Sequence, residues 1–319
     1  MDVSLLSTID TDYRVPLEVL ASSLLHAKQA STVIEWHVFT DQQGGDWDAW
    51  QAMMHARHRD QKVTFVLHRI HGLEDEPFPL RGRARPIMYA RLLTPERLAP
   101  LTSRVLYLDA DMIAPGPIEE LWSMELHGQP CGCCQDLAIP TVSSGMAIRD
   151  HARLRLDPEQ AYFNAGVMLI DIPKWKEQGV TGKALDYLSR HFGAVNLFDQ
   201  EALNVAMEGN WLRVSYRWNL VASVAGRAFL DTASLRRDDY QASLLRPCII
   251  HYAGTLKPWL NPFLRGRWYE SYRAALQRAL PAHRLHHTLK HLVHATYDAS
   301  VRRWVYPLER SAWRALRGF

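Results

Sequence analysis

Short apolar runs that alternate with helix-length segments are the feature that most constrains the fold of this chain. Several of these runs are apolar almost throughout rather than at every second residue. A strand that is covered by helices on both faces has this continuous pattern. The runs are Val3–Thr8, Val33–Thr40, Lys62–Ile70, Arg104–Leu108, Phe163–Ile170 and Cys248–Tyr252. We therefore predict an α/β fold with a mostly parallel central sheet flanked by helices.

Helices are predicted in the gaps between these runs. The segments Val15–Ala30 and Asp46–Arg59 have helical length, and a further helix begins after Asp171 and is interrupted by Gly179. The residues that break the chain after the last predicted strand are Pro258, Pro262 and Gly266. This break divides the sequence into a domain at 1–262 and a small helical C-terminal region at 263–319.

Composition excludes several classes of protein. The chain has 319 residues, of which 47% are hydrophobic and 22% are charged, so it is long enough to bury a sizeable core. Its first residues lack the basic and apolar regions of a signal peptide. No apolar run approaches the ~18 residues that a membrane-spanning helix needs. We therefore expect a cytoplasmic protein.

The C-terminal region differs in charge from the rest of the chain. Residues 281–319 contain seven Lys or Arg and two Asp or Glu, a net charge of +5, whereas the whole chain carries +3. The nearly neutral remainder argues against a nucleic-acid partner. Arginines alternate in this tail with Trp304, Tyr306, Trp313 and Phe319, a pattern typical of a helix that binds an anionic membrane surface. The alternative is an amphipathic helix that packs on the first domain.

Three of the four cysteines, Cys131, Cys133 and Cys134, lie together in a strand-like stretch. No pair of Cys or His lies nearby at the spacing of a zinc site. Cysteines are also among the residues most often buried in protein cores. We predict buried, reduced thiols here, with a zinc site as the alternative.

Two carboxylates separated by one residue follow the strand Arg104–Leu108. Ligands of open α/β sheets bind beyond the carboxyl ends of strands, so Asp109 and Asp111 are well placed for a site. Together they suit a hard cation such as Mg²⁺ or Mn²⁺ with substrate phosphates. A solvated strand end is one alternative. Another is a phosphatase with a nucleophilic first aspartate, although such enzymes have Thr or Val where this chain has Ile113.

Further polar residues occur at the last predicted strand and at two other places. His251 suits Mn²⁺ as a ligand, although a histidine satisfied within the core is the alternative. Asn164 enters an apolar run, which is unfavourable unless its amide is hydrogen-bonded. Asp199-Gln200-Glu201 stands at the start of a helical run, where Asp199 would cap the helix and Glu201 would favour its dipole.

In combination these motifs resemble glycosyltransferase family 8, in particular its bacterial lipopolysaccharide and lipooligosaccharide galactosyl- and glucosyltransferases. The resemblance extends from residue 3 to about residue 260 and consists of six motifs in order. They are Asp10-Thr-Asp-Tyr13, Tyr89-Ala-Arg91-Leu, Leu108-Asp109-Ala-Asp111, Asn164-Ala-Gly166, Asp199-Gln200-Glu201 and His251-Tyr-x-Gly-x-x-Lys-Pro-Trp259. It implies the GT-A nucleotide-sugar fold and Mn²⁺ as cofactor, with Mg²⁺ as the other possible ion.

The resemblance also implies a role for each matching residue. Asp109, Asp111 and His251 would bind the metal. The residues that would bind the donor are Thr8, Asp10, Asp12, Tyr13, Arg91, Asp109, Ala110, Asp111, Asp136, Asn164, Ala165, Gly254 and Lys257. Tyr13 would stack on the base, whereas Gly254 and Lys257 would hold the pyrophosphate. Asp136 is placed only by its spacing after Asp109, and Asp12 stands where the bacterial enzymes commonly have Asn.

The implied reaction is the retaining transfer of a hexose from UDP-galactose or UDP-glucose to a glycan acceptor, expected to be lipid-linked, in lipopolysaccharide or lipooligosaccharide synthesis. The catalytic residues would be Gln200, Asp199 and Glu201. An amide is a poor nucleophile, which favours attack on the same face as the leaving UDP, with Asp199 and Glu201 as alternative nucleophiles.

Related enzymes have basic, aromatic tails, which implies a peripheral position on the inner face of the plasma membrane. Two other functions stay open. One is a self-glycosylating primer similar to glycogenin, and the other is a nucleotide-sugar-binding protein without turnover.

Overall fold

The computed structural model describes residues 1–42, 46–73, 78, 85–191, 193–226, 236–261 and 263–280. Two compact units divide the chain, Met1–Thr255 and Leu256–Phe319. The boundary that the sequence places between residues 262 and 263 stays a prediction. The predicted membrane-binding tail at 281–319 lies outside the described residues.

Strands and helices alternate along the first unit. Its strands are β1 (Asp2–Thr8), β2 (Val33–Thr40), β3 (Val63–Arg69), β4 (Arg104–Leu108), β5 (Met112–Ile113), β6 (Cys131–Gln135), β7 (Phe163–Asp171), β8 (Leu212–Arg213), β9 (Leu220–Val221) and β10 (Ile250–His251). Its helices are α1 (Arg14–Ala27), α2 (Trp47–Arg57), α3 (Pro86–Leu98), α4 (Glu119–Trp122), α5 (Ile172–Glu177), α6 (Val180–His191), α7 (Phe198–Met207) and α8 (Arg237–Leu245). Short 3-10 helices cover Thr11–Tyr13 and Tyr216–Trp218.

A seven-stranded sheet in the order β3-β2-β1-β4-β7-β6-β8 lies at the centre of this unit. Parallel pairs join β1 to β2 and β4, β2 to β3, and β6 to β8, whereas β7 runs antiparallel to β4 and β6. The sheet is mostly parallel, which confirms the predicted α/β class. Because β7 runs antiparallel to β4, the first residues of β7 lie beside the carboxyl end of β4.

Two of the continuous apolar runs become strands that are covered on both faces, β4 and β7, whereas β3 at the edge of the sheet is buried only at Phe65. In β7 every residue from Phe163 to Ile170 is buried. Cys131 and Cys133 belong to the same core cluster as much of β7. All four cysteines are free and buried, as predicted for reduced core thiols.

A second, three-stranded sheet has the order β5-β10-β9. Strand β10 pairs antiparallel with β5, which places His251 opposite Met112, and parallel with β9. The sequence predicts one strand over Cys248–Tyr252, but only Ile250 and His251 pair with neighbouring strands. The reason is that the N–H groups of Cys248 and Ile249 both donate to the carbonyl of Arg217, outside the ladder.

Helix ends differ from the predictions by a few residues. The helix predicted to reach Ala30 ends at Ala27 because Lys28 is extended, with φ −64° and ψ 158°. The interruption predicted at Gly179 is present, since this residue has φ +63° and separates α5 from α6. Helix α5 begins where the side chain of Asp171 accepts the N–H of Lys174.

The second unit contains helix α9 (Arg267–Ala279) among its described residues. Gly266 precedes this helix with φ 109°, a conformation that glycine adopts readily. The ring of Tyr272 on α9 lies 5.7 Å from the ring of Trp259. Within the part of the chain that the structure describes, no helix has the length and apolar character needed to cross a membrane.

Candidate active site and metal centre

Asp109, Asp111 and His251 form the single cluster of at least three possible metal ligands among the described residues. One ligand atom of each lies within 4.8 Å of the other two. Nε2 of His251 is 3.2 Å from Oδ1 of Asp111 and 3.7 Å from Oδ2 of Asp109. Ala110, between the two carboxylates, is buried. Two carboxylates and an imidazole form a donor set that fits a divalent ion such as Mn²⁺.

Strand pairing in both sheets brings these ligands together. Asp109 directly follows β4, and its N–H donates to the carbonyl of Gly166 at 2.9 Å. Asp111 directly precedes β5, and its carbonyl accepts the N–H of Tyr252 at 2.9 Å, next to His251. The pairing of β5 with β10 therefore fixes His251 beside Asp111.

Gly166 on β7 leaves the space that the ring of His251 occupies. A Cβ atom at position 166 would lie 2.4 Å from Cε1 and 2.8 Å from Nδ1 of His251. These separations are far below van der Waals contact, so any side chain here would displace the ring. The glycine of the Asn-Ala-Gly motif is thus required for the imidazole to approach the strand.

Asn219, which lies in none of the sequence motifs, contacts the other ring nitrogen of His251. Its Oδ1 lies 2.9 Å from His251 Nδ1, and its Nδ2 donates to Oδ1 of Asn164 at 2.9 Å. Asn164 in turn donates through Nδ2 to Oδ2 of Asp136 at 2.9 Å. All four side chains are buried. The amide of Asn164 thus has the hydrogen bonds that its burial requires.

Arg91 on α3 connects two carboxylates. Its Nη2 donates to Asp109 Oδ1 at 2.7 Å, its Nε lies 2.7 Å from Asp199 Oδ2, and its Nη1 donates to the carbonyl of Ala165 at 3.1 Å. Burial alone would lower the pKa of Arg91, but the charges of Asp109 and Asp199 outweigh it and raise that pKa. Burial raises the pKa of Asp199 to about 6, although the charge of Arg91 opposes the shift.

The amide of Gln200 on α7 is held at both ends. Its Oε1 accepts the N–H of Ala165 at 3.1 Å, and its Nε2 donates to Asp136 Oδ2 at 3.3 Å. The other oxygen of Asp136 accepts the N–H groups of Ala138 and Ile139 at 2.8 and 3.1 Å. Asp136 thereby places the amide of Gln200 next to the first residues of β7.

Glu201 has a different environment from its two neighbours in the motif. Its Oε1 accepts the hydroxyl of Tyr187 at 2.6 Å. Its Oε2 accepts the N–H groups of Asn196 and Leu197 at 2.7 and 2.9 Å. Burial raises the pKa of Glu201. These contacts hold the turn before α7 and favour a structural role for this carboxylate.

Asp10 and Asp12 follow β1 and share one arginine. Asp10 is buried, and its Oδ1 accepts the N–H of Asp12 at 3.0 Å, which caps the short helix there. Nη1 of Arg85 donates to Asp10 Oδ2 at 2.5 Å, and Nη2 lies 3.0 Å from Asp12 Oδ2. The two predicted donor-binding carboxylates thus lie together at one guanidinium group.

Thr8 and Tyr13 lie near the candidate metal ligands. Oγ1 of Thr8 is 3.1 Å from the hydroxyl of Tyr107, which donates to Asp109 Oδ1 at 2.9 Å. Burial raises the pKa of Tyr13, and the charges of Asp111, Asp109 and Asp10 raise it further. Residues at the end of β1 are therefore electrostatically coupled to the carboxylates that follow β4.

Gly254 and Lys257 belong to different compact units. Gly254 is in the first unit and has φ +83°. Lys257 is in the second unit, and its ammonium group lies 5.5 Å from the centre of the Trp259 ring. Their roles at the pyrophosphate stay predictions.

Three polar residues at the site lie outside the sequence motifs: Tyr107, Arg85 and Asn219. Tyr107 carried a local signal, because a hydroxyl group within an apolar strand needs a partner. Arg85 and Asn219 carried none, since their partners are distant in sequence and only the fold brings them close.

Comparison with known proteins identifies one family, in agreement with the sequence motifs. The model of the family described as glycosyl transferase family 8 matches residues 4–262. Glycosyltransferase GlyF of Streptococcus pneumoniae serotype 4 is 24% identical over 262 residues, which cover 81% of this chain and 58% of that protein. Lipopolysaccharide 1,2-glucosyltransferase of Escherichia coli K12 is 31% identical over 201 residues, which cover 62% of this chain and 56% of that protein. The chain thus spans little more than half the length of these relatives.

The fold is also shared with a solved glycosyltransferase. The structure of galactosyltransferase LgtC in complex with donor and acceptor sugar analogs has a TM-score of 0.69 and 25% sequence identity, and the match covers 86% of this chain and 95% of that chain. The fold is therefore of the GT-A type, as the resemblance implied. With the family match extending over residues 4–262, the chain belongs to glycosyl transferase family 8.

Proposed function

We propose that this protein transfers a hexose, galactose or glucose, from its UDP derivative to a glycan acceptor with retention of anomeric configuration. The observation that carries the proposal is the group formed by Asp109, Asp111 and His251. Hydrogen bonds and an ion pair connect this group to the polar side chains of Gln200 and Asp199, which match the family's sugar-binding motif.

A divalent ion, Mn²⁺ or Mg²⁺, held by these three ligands would stabilise the negative charge on the diphosphate of the leaving UDP. The carboxylate of Asp109 is held in a fixed orientation for this role. Oδ1 of Asp109 accepts hydrogen bonds from both Arg91 and Tyr107, at 2.7 and 2.9 Å. Those contacts fix the carboxylate so that Oδ2 faces the imidazole of His251.

In this proposal the nucleotide binds beyond the end of β1. Asp10, Asp12 and Tyr13 contact the base and ribose, while Gly254 and Lys257 hold the pyrophosphate. The family resemblance supports these roles, and the proximity of Tyr13 to the charges of Asp109 and Asp111 supports a position next to the ion.

The hexose lies against Arg91, Asp136, Asn164, Asp199 and Gln200. Retention follows from attack on the face that UDP leaves, with the departing phosphate accepting the proton of the acceptor hydroxyl. Gln200 offers an amide that is fixed at both ends and can orient the sugar without forming a bond. The two alternative nucleophiles are less suitable. Asp199 is buried in an ion pair with Arg91, and both carboxylate oxygens of Glu201 accept hydrogen bonds.

The acceptor in this proposal is a lipid-linked glycan of lipopolysaccharide or lipooligosaccharide synthesis, at the inner face of the plasma membrane. Two observations support it. One relative is named a lipopolysaccharide 1,2-glucosyltransferase. The other is the composition of residues 281–319, which combine a net charge of +5 with interleaved aromatic residues.

A screen of UDP-sugars for hydrolysis and transfer in the presence of Mn²⁺ tests the proposal. Turnover should require the ion, and an α-linked donor should give an α-linked product by NMR. Asp111→Ala should lower turnover by more than the about 10–100-fold typical of losing an outer hydrogen-bond partner of a metal ligand. Asp186→Ala, which removes an exposed carboxylate paired with Arg190 on α6, is the matched control and should leave turnover unchanged.

Other outcomes would identify the alternatives. Full activity in excess chelator contradicts the metal site, and a β-linked product contradicts retention. Sugar incorporated into the protein itself would favour the glycogenin-like primer. Tight binding of UDP-sugars without turnover would favour the binding protein.

A further inference from the structure

A continuous chain of buried hydrogen bonds runs from Asp136 to His251. It passes through Asn164 and Asn219, and each of its three donor–acceptor distances is 2.9 Å. Asn164 is the most exposed of the four residues, at 7%. Because water has so little access, each donor in this chain must face an acceptor.

The carboxylate of Asp136 determines the direction of every bond in the chain. An ionised carboxylate only accepts, so Asn164 must present its NH₂ group to Asp136 and its carbonyl oxygen to Asn219. The N–H of Gly166 fixes the same orientation independently, because it donates to Asn164 Oδ1 at 3.0 Å. Asn219 must then donate to Asn164 through Nδ2 and accept from His251 through Oδ1.

This direction decides which nitrogen of His251 carries a hydrogen. Nδ1 must donate to Asn219 Oδ1, and Nε2 is then the nitrogen that faces Asp109 and Asp111 with its lone pair available to an ion. The outer partner of a metal-binding histidine commonly fixes the ring in this way. The position of the hydrogen on His251 is therefore determined by Asp136, three hydrogen bonds away.

We propose that Asn219 is a positioning residue for the metal ligand His251, which keeps the ring in place and the hydrogen on Nδ1. The proposal rests on the metal site of the proposed function. Asn219 touches neither of the carboxylate ligands in the contacts described above, so its effect on an ion would pass through the imidazole. Its position supports this, since it directly precedes β9, the strand that pairs with β10.

The test uses Mn²⁺ alone as the probe, with the full-length protein and no sugar donor. Asn219→Leu removes both hydrogen bonds and should weaken Mn²⁺ binding by about 10–100-fold. Asn219→Asp can still accept from Nδ1 but cannot donate to Asn164, so it should keep the hydrogen on Nδ1 of His251. Electron paramagnetic resonance gives the Mn²⁺ dissociation constants. Nitrogen NMR of the imidazole should show a hydrogen on Nδ1 in the native protein. The spectrum is recorded on the metal-free protein and again with Mg²⁺.

A second buried asparagine provides the control. Asn204 bonds to both main-chain groups of Phe163, at 2.9 and 3.0 Å, and contacts none of the metal ligands in the bonds described. Asn204→Leu should lower stability but leave the Mn²⁺ dissociation constant unchanged. If Asn219→Leu does not fold, Asn219→Ser, whose hydroxyl can both donate and accept, should fold and bind Mn²⁺ with intermediate affinity.

Two results would overturn the proposal. One is a native His251 whose Nδ1 lacks a hydrogen, and the other is an Mn²⁺ affinity within about twofold of native in a folded Asn219→Leu, which is less than an outer partner's usual effect. A native protein that binds no Mn²⁺ at all would instead contradict the proposed metal site. The NMR measurement on the metal-free protein separates these cases, because it needs no ion.

Discussion

Two arginines at helix α3 have the same pattern of partners in very different surroundings. Arg85 stands immediately before the helix and Arg91 lies within it, and each connects two carboxylates. The side chain of Arg91 is 10% exposed, whereas that of Arg85 is 55% exposed. Equal numbers of ion pairs therefore do not imply equal contributions to stability, because water competes for the guanidinium group of Arg85 far more than for that of Arg91.

The partners strengthen the contrast. Arg91 bonds to Asp109, a metal ligand in the proposed site, and to Asp199, which is 5% exposed. Removing one member of such a buried pair leaves charge without compensation in a medium of low polarity. Arg85 bonds to Asp10, which is buried, but also to Asp12, which is 67% exposed. Most of the charge at Arg85 can be solvated by water.

The largest effect is expected at Arg91. Arg91→Ala leaves Asp109 and Asp199 without their counter-charge, and it should lower the free energy of unfolding by about 3–5 kcal/mol. Urea unfolding followed by tryptophan fluorescence measures this change. Arg91→Lys is the informative partner, because a point charge cannot bridge both carboxylates and should recover only part of the loss. A loss below about 1 kcal/mol in Arg91→Ala, the range of exposed pairs, would contradict the contrast.

A smaller, pH-dependent effect is expected at Asp199. Its pKa is raised from 3.8 to about 6, so the folded protein holds this proton more tightly than the unfolded chain does. The stability due to this proton is fully present below about pH 4 and is lost as the pH rises to about 6. Asp199→Asn removes this dependence of stability on pH. The free energy of unfolding of the variant minus that of the native protein should therefore increase between about pH 4 and pH 6 and then stay constant.

Urea unfolding at a series of pH values, with chelator present so that no ion alters the charge of Asp109, gives this difference. Asp186→Asn, an exposed carboxylate on α6, should show no such trend. If the native protein and Asp199→Asn respond equally to pH, the carboxylate of Asp199 does not behave as a buried group.

The smallest effect is expected at Arg85. Arg85→Ala should change the free energy of unfolding by less than about 1 kcal/mol, and a double-mutant cycle with Asp12→Asn should give a coupling energy of about 0.2–1 kcal/mol. The coupling should fall as salt is added, because both side chains are exposed. A coupling of several kcal/mol that salt does not alter would mean that the two arginines are equivalent after all.

Much of the sheet and the cluster of Asp109, Asp111 and His251 could be predicted from the sequence, because both have local signals. Runs such as Phe163–Ile170 are continuous and apolar, and the pair Asp109 and Asp111 directly follows such a run. Residue order alone also placed His251 at the end of a strand. In each case the information lies within about ten residues, the range over which hydrophobic periodicity operates.

The rest depends on contacts between distant segments. Asn219 is 32 residues from His251 and 55 from Asn164, and nothing in its own neighbourhood indicates either partner. The requirement for Gly166 also becomes visible only when the ring of His251 is seen against it. The contact of Glu201 with Tyr187 is hidden for the same reason, because Tyr187 reaches it from another helix.

The small sheet of β5, β10 and β9 has a consequence for how the molecule withstands heat and denaturants. Its strands have two residues each, so the ladder by itself supplies few hydrogen bonds. A divalent ion bound by Asp111 and His251 would act as a removable cross-link between segments that are far apart in the chain. Since the folded form alone assembles these residues, an ion that binds them would raise stability in proportion to the logarithm of its concentration, once that concentration exceeds the dissociation constant. The melting temperature, measured with equal concentrations of different ions, would thus rank those ions by affinity without any sugar being transferred.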